Sequence, residues 1–350
     1  MAYAAKDPKY RKHLIKTIGQ GAFGRVYLSF HNELGIIAAK VMKLEKFDER
    51  EWDAAGKLNQ PEFQCPFIMK YLLAKAFETE AVILMEYANA KSLDSIVKDK
   101  TKNLSSGTYR ALSKQILEGI RLVHAAGLIH RDIKAENILM HSANSITKIK
   151  IADFGMAKAD VSTQIGMSAM GTPLNMAPEL LLSTQSANNK IDMYSVGVVL
   201  FQLATHEYPI NAKTIPEIQQ KFKTGRIERH SAIIDNQLWN LLTELLEFDP
   251  ERRISAEQAL QHPYFTSPYV DNEISPLAKQ LAQKTIHARQ LNDSWIMKYD
   301  MDQTYIVPTP EIMVFINTDP EAEQLNYLSK YVKQPLLITW KFHFIATVAN

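Results

Sequence analysis

The feature that most constrains the fold of this chain is a change of hydrophobic period near residue 90. Upstream, from about residue 13 to 87, apolar and polar residues alternate, as in Arg25-Val26-Tyr27-Leu28-Ser29-Phe30, Gly35-Ile36-Ile37-Ala38-Ala39-Lys40-Val41-Met42 and Ala81-Val82-Ile83-Leu84-Met85-Glu86-Tyr87. A period of two sends successive side chains to opposite faces of an extended chain, so these runs predict strands of an antiparallel sheet, with a turn at His31-Asn32-Glu33. One interruption, 48–58, predicts a helix, with Asp48 as cap ahead of Glu49, Glu51, Trp52 and Ala55. Beyond Ser92 the spacing becomes three and four: Leu112, Ile116, Ile120 and Val123 recur within 109–125, and 192–205 and 237–247 behave similarly. An α+β architecture follows, a small β-rich lobe and then a larger helical one. Glu86-Tyr87-Ala88-Asn89-Ala90 is the connector, and a ligand cleft is expected beside it. Within the helical half, Ile138-Leu139-Met140 and Ile149-Lys150-Ile151 flank 141–145 as a hairpin, which brings Asn137 and Asp153 together at its open end.

Composition narrows the partners more than the fold. The 350 residues are 46% hydrophobic and 22% charged, values that suit a packed interior rather than disorder. Forty Lys and Arg against 38 Asp and Glu leave a net charge of +2, so neither nucleic acid nor an acidic membrane is expected as a partner. The single cysteine, Cys65, allows no intramolecular disulfide and no cysteine-rich zinc site; beside Pro66 and Phe67 it reads as a small buried hydrophobe. The first residues carry no apolar core for a signal peptide, position 2 is Ala2 rather than glycine, and no window approaches the roughly 20 apolar residues that span a bilayer. An intracellular protein, cytoplasmic or nuclear and with no membrane span, is expected.

Four segments carry chemistry. In Ile18-Gly19-Gln20-Gly21-Ala22-Phe23-Gly24-Arg25-Val26, glycines 19, 21 and 24 let the backbone come close to phosphates. Dinucleotide-binding folds share this spelling but run from strand into helix, whereas Arg25-Val26-Tyr27-Leu28 continues as strand, so the glycines belong to a hairpin over a ligand. His130-Arg131-Asp132-Ile133-Lys134-Ala135-Glu136-Asn137, followed by Asp153-Phe154-Gly155, supplies an acid to orient a hydroxyl, a lysine for a charged oxygen, and an Asn/Asp pair whose oxygens suit magnesium. Ala177-Pro178-Glu179 lies downstream.

In this order the segments resemble the eukaryotic protein kinase family, over about residues 13–265. The resemblance implies the two-lobed kinase fold, with a small lobe at about 13–85, a hinge at 86–90, a large lobe at 91–265, and 1–12 as a lead-in. ATP and Mg2+ are the implied cofactors and proteins the implied substrates. The stretch from Ile18 to Gly24, including Gln20, Ala22 and Phe23, would cover the nucleotide. Val26, Ala38 and Leu139 would sandwich the adenine, with Met85 behind it and Glu86 and Ala88 offering backbone hydrogen bonds. Lys40 would hold the α- and β-phosphates, paired with Glu51 of the following helix, or alternatively with Glu49. Asp132 would orient the substrate hydroxyl, Lys134 would sit against the γ-phosphate, and Asn137 and Asp153 would hold the metal.

Other matches refine the implication. Lys134, with Thr172 before Ala177-Pro178-Glu179, is similar to the serine/threonine branch, Thr172 being a structural contact to the catalytic aspartate and lysine. Met156, just after Asp153-Phe154-Gly155, implies serine over threonine. Arg131 beside the catalytic aspartate implies an activation-loop phosphate that satisfies it, expected at Ser168; the alternative is that Ser168 is an ordinary loop serine. Glu179 and Arg253 match a buried ion pair, and Asp192 the residue that holds the catalytic-loop backbone. Ala55 departs from the family, which has a larger apolar residue there; Tyr71 is the nearby residue able to supply the bulk. Because Lys40, Asp132, Asn137 and Asp153 are all present, the resemblance implies an active enzyme, the alternative being a pseudokinase that acts as scaffold or allosteric partner.

The resemblance ends at Phe265. In 266–350 the pattern predicts a helix at 277–291 with Leu277, Leu281, Ile286 and Leu291 inward, a helix at 319–330 capped by Asp319 with Pro320 first, and strands at 311–317 and 336–345. A small α+β module and a segment packed back on the kinase both remain open, and either could receive a regulatory partner.

Overall fold

The computed structural model describes residues 14–21, 24–31, 33–47, 49–156, 173–182, 188–223 and 225–331. Asp48, Ala22, Phe23, Ser168, Thr172 and the strand expected at 336–345 lie outside these residues. The described chain forms two compact units. One holds 14–47, 71–87 and 319–331, the other 49–70 and 88–318.

The first unit is a five-stranded antiparallel sheet in the order β1-β2-β3-β5-β4, made of Leu14–Gly21, Gly24–His31, Gly35–Lys43, Tyr71–Ala76 (β4) and Glu80–Glu86 (β5). β1 and β2 pair from Leu14↔Ser29 to Gly21↔Gly24, so the glycines do belong to a strand–strand hairpin. Gly24 has a steric reason: a Cβ there would lie 2.2 Å from the carbonyl oxygen of Val41. Directly opposed residues share a face, and the register aligns Val26 with Lys40 and Leu28 with Ala38 and Met85. Val26, Ala38, Lys40 and Met85 therefore share one face.

The second unit begins with helix α1, Glu49–Leu58. Helix α2, Ser106–Ala125, starts earlier than the apolar spacing predicts, because Ser105 caps it by accepting from Thr108 N at 3.2 Å. Helix α3, Lys190–Thr205, is apolar all round and buried on nearly every side; it stops at His206, whose φ is 60°. β6 (Ile138–Ala143) and β7 (Ile146–Ile151) form the expected hairpin. Its loop is shorter than expected, two residues: Asn144 and Ser145, at φ 54° and 64°, give the positive-φ pair of a tight hairpin turn.

The described part of the chain beyond Phe265 divides between the two units. Helix α4, Pro276–Gln290, is where a helix was expected, yet it buries Ala278, Leu281 and Ala282 while Leu277 and Leu291 are exposed. Leu281 turns inward as the stripe of large apolar side chains predicts, but its companions on the contact face are small residues, so the rest of the stripe misplaces that face. β8, Val307–Pro308, adds a third strand to the hairpin, pairing Thr147↔Val307 and Ile146↔Pro308. The strand predicted at 311–317 is instead helix α5, Thr309–Ile316. Pro310 fits its first turn, where a missing N–H is harmless, Ile312, Phe315 and Ile316 turn inward, and Asn317 at φ 55° closes it. A short apolar run does not by its period distinguish strand from buried helix.

Helix α6, Pro320–Tyr331, follows the expectation, with the Asp319 carboxylate accepting from the backbone N–H groups of Glu321 (3.0 Å) and Ala322 (3.1 Å). It belongs to the sheet unit, where Leu328 is buried with Leu28 and Ile36, flanked by Ile15, Phe30, Tyr87 and Tyr327. Lys16 donates to the Tyr327 hydroxyl and lies 4.8 Å from the centre of that ring. Leu328→Ala should destabilise this unit by about 2 to 3 kcal/mol. Hydrogen exchange reads this as lost protection in β2 and β3; unchanged protection would show that α6 contributes nothing there. No helix among the described residues is long and apolar enough to cross a membrane.

Candidate active site

In the helical unit the 130–137 loop is suspended from α3. The buried carboxylate of Asp192 accepts from the backbone N–H of His130 and of Arg131, both at 2.8 Å, and meets His124 Nε2 at 2.9 Å. Burial alone would raise the pKa of this carboxyl, but the hydrogen bond and charge from His124, with the Arg131 N–H, outweigh it and hold the group below the usual range. Arg131 is left-handed, at φ 70°, a strained conformation that these bonds maintain. His130 accepts from Asp132 N at Nδ1 (3.3 Å), so its Nε2 carries the hydrogen donated to Ala152 O (3.1 Å). Its ring packs on Phe154 at 4.9 Å.

Three of the candidate side chains converge in this loop. Lys134 Nζ donates to both Asp132 carboxylate oxygens, at 2.8 and 3.1 Å, and Asn137 Nδ2 donates to Asp132 Oδ2 and Asp132 O, both at 2.8 Å. With its amide hydrogens committed, Asn137 has Oδ1 as the atom with which to accept a cation. Pairing of Ile138 with Ile151, and the bond from Ala152 N to Asn137 O at 2.9 Å, set Asp153 beside Asn137. Asp153 is also left-handed, at φ 66°. Gly155 lies between two carboxylates: a Cβ there would be 3.4 Å from both Asp153 Oδ1 and Glu51 Oε2.

Of the two candidates on α1, Glu51 is buried and faces Gly155, whereas Glu49 is exposed. Ala55 is buried on the same helix. Leu139 is tied to the connector: Ala90 N donates to Met140 O (2.9 Å), Met140 N donates to Lys91 O (2.8 Å), and Asn89 exchanges bonds of 2.9 and 2.8 Å with the Ser142 backbone, which brings Ala88 and Leu139 into one neighbourhood. In the sheet unit, Gly19, Gln20, Gly21 and Gly24 lie on the β1–β2 hairpin with Ile18 exposed; Ala38, Lys40 and Met85 are buried, and Glu86 ends β5.

Among the described residues no three His, Cys, Asp or Glu side chains form a metal cage. An Asn oxygen and an adjacent carboxylate are the donor set that suits magnesium when phosphates and water complete its shell, so Asn137 and Asp153 fit that ion. Cys65 is half-buried rather than the fully buried hydrophobe its neighbours in sequence predict, and desolvation pushes its thiol up to about 12, far from the thiolate a nucleophile needs. The structural matches also meet their expected partners. Arg253 grips Glu179 with two bonds, Nη1–Oε1 at 2.7 Å and Nη2–Oε2 at 2.9 Å, both side chains almost fully buried. Sequence reasoning missed two polar residues inside α2, Gln115, which is buried, and His124, which is half-buried against Asp192. Their only sequence signal is polarity within a helix buried on almost every side.

Residues 12–265 match the family described as the protein kinase domain. The chain is 29% identical over 274 residues to the probable serine/threonine-protein kinase nek3 of Dictyostelium discoideum, covering 76% of this chain and 24% of that one. It is 30% identical to mitogen-activated protein kinase kinase kinase 3 of Arabidopsis thaliana, covering 71% and 41%, and 31% identical to serine/threonine-protein kinase 10 of Xenopus tropicalis, covering 74% and 28%. The chain thus spans less than half the length of these curated relatives. Motif order, the loop suspended from Asp192 and the match over 12–265 agree, and the chain belongs to the protein kinase family, in its serine/threonine branch.

Proposed function

We propose that this chain is an active ATP-dependent kinase that transfers the γ-phosphate of Mg-ATP to serine, and less readily threonine, hydroxyls of protein substrates. The observation that carries this reading is the Asp132–Lys134–Asn137 cluster, an intact set of acid, cation and amide hydrogen-bonded to one another. Asp132 orients the substrate hydroxyl and accepts its proton as the new O–P bond forms and the bond to the leaving ADP oxygen breaks. Lys134 offsets charge on the moving phosphoryl oxygens, and Asn137 Oδ1 and the Asp153 carboxylate would hold magnesium, which would supply neutralisation of phosphate charge. Lys40 holds the nonreacting phosphates, and the hinge residues Glu86 and Ala88 hold the adenine.

Lys134 and the names of the relatives support a serine/threonine acceptor, and Met156 supports serine. The lone Cys65 suits work in the cytoplasm or nucleus. Arg131 supports regulation by a phosphate at Ser168, with Thr172 structural. Matched peptides differing only in the acceptor test the reading: serine should exceed threonine and tyrosine should be negligible. Comparable tyrosine turnover would overturn the hydroxyl class, and a threonine preference would overturn the role of Met156. Ser168→Ala should lower the rate, and an undiminished rate would remove Ser168 from regulation.

A further inference from the structure

β7 runs directly into Asp153, and two contacts fix the end of this strand. Ile149 N donates to Oε1 of Gln115 at 2.8 Å, and Gln115 Nε2 donates to the carbonyl of Tyr305 at 2.7 Å. Gln115 is fully buried, so water does not stand in for these bonds. Two residues on, Ile151 N donates to Phe67 O (2.9 Å) and Ile151 O accepts from Met69 N (2.8 Å). α2 closes on this junction through Gly119, where a Cβ would lie 2.6 Å from Ile151 Cδ1.

Both contacts are held by the same stretch of chain. The Phe67 ring stands edge-on to Tyr299 at 4.9 Å and stacks on Tyr305 at 5.7 Å, and Tyr299 and Tyr305 pack on each other at 5.2 Å. The Tyr299 hydroxyl donates to Glu118 Oε1 at 2.6 Å, and Lys148 of β7 is paired with Asp300. β8 then pairs with the start of β7. All these extension residues lie beyond 265, where the kinase-domain match stops.

We propose that residues 299–308 are a positioning element for the phosphotransfer site: through Gln115 and Phe67 they set the end of β7, and so the place of Asp153 beside Asn137. The catalytic unit of this chain therefore includes part of its extension. The catalytic consequence rests on the function proposed above; the structural one does not.

Tyr305→Ala removes the ring from Phe67 and loosens the carbonyl that anchors Gln115, whereas Tyr305→Phe keeps both. Hydrogen exchange without ligand should show protection lost at Ile149 and Ile151 in Tyr305→Ala and retained in Tyr305→Phe. The gain in affinity for a nonhydrolysable ATP analogue on adding magnesium should fall roughly 10- to 100-fold in the alanine variant only, the scale on which partners of metal ligands act. If Tyr305→Ala fails to fold, Gln115→Met carries the same two measurements, since at similar volume it removes the bonds to Ile149 and Tyr305 together with the longer one to the Thr147 carbonyl (3.5 Å). Unchanged exchange at Ile149 and Ile151, or protection lost evenly across the helical unit, would overturn the proposal. A wild-type protein that bound no nucleotide would count against the proposed function, and the exchange comparison would still decide the positioning role.

Discussion

Asp153→Asn and Lys40→Met should each lower phosphotransfer by at least on the order of 10² to 10³-fold, the scale for removing one charged stabiliser of a transition state. Both should leave the fold nearly intact. Asp153 occupies the left-handed region at φ 66°, which asparagine tolerates as well as aspartate, so the amide keeps the backbone while losing the charge to which the proposed function assigns the metal. Lys40 is buried on β3, aligned with Val26 and Ile83, and methionine replaces its stem with a side chain of similar length. Lys40→Met should still bind nucleotide measurably, because the adenine contacts assigned to Glu86 and Ala88 are backbone ones. Circular dichroism checks the fold, an ATP-analogue titration the binding, and a peptide assay the rate. A folded variant with near wild-type turnover would remove that residue from the mechanism.

Arg253→Met should cost about 3 to 5 kcal/mol of stability, because it leaves the Glu179 carboxylate buried without its cation. Glu179 is 2% exposed, too little for water to replace the two lost bonds. Removing both charges, as Glu179→Leu with Arg253→Met, should recover part of this loss. Full recovery is not expected, since Arg253 also donates to the carbonyls of Lys190 and Glu247, both at 2.8 Å. Urea unfolding of the three proteins measures the difference. A single variant within 1 kcal/mol of wild type would contradict the account of this pair.

The catalytic loop and the hairpin were legible in the sequence because their information is local. Asn137 and Asp153 sit just outside two strands whose alternation fixes a register, and a register fixes which residues meet at the open end. The glycine segment was legible for a similar reason, since strand continues after Gly24. The extension was not. Its helix Thr309–Ile316 is an apolar run whose period is compatible with either structure, and the contact face of Pro276–Gln290 joins Leu281 to two alanines, Ala278 and Ala282, that carry little hydrophobic signal. Gln115 and Tyr305 were invisible for a different reason: their partners are 34 and 190 residues away from Gln115, and no local spacing encodes a hydrogen bond made across the fold.

Transfer of labelled γ-phosphate from ATP to a serine peptide, measured with and without magnesium for wild type and Asp132→Asn, tests the central claim most directly. The expected result is magnesium-dependent label on serine with the wild type and almost none with Asp132→Asn, whose neutral amide no longer accepts the hydroxyl proton. Folded wild-type protein that transfers no more label than Asp132→Asn would contradict it and leave a scaffold built on a kinase fold.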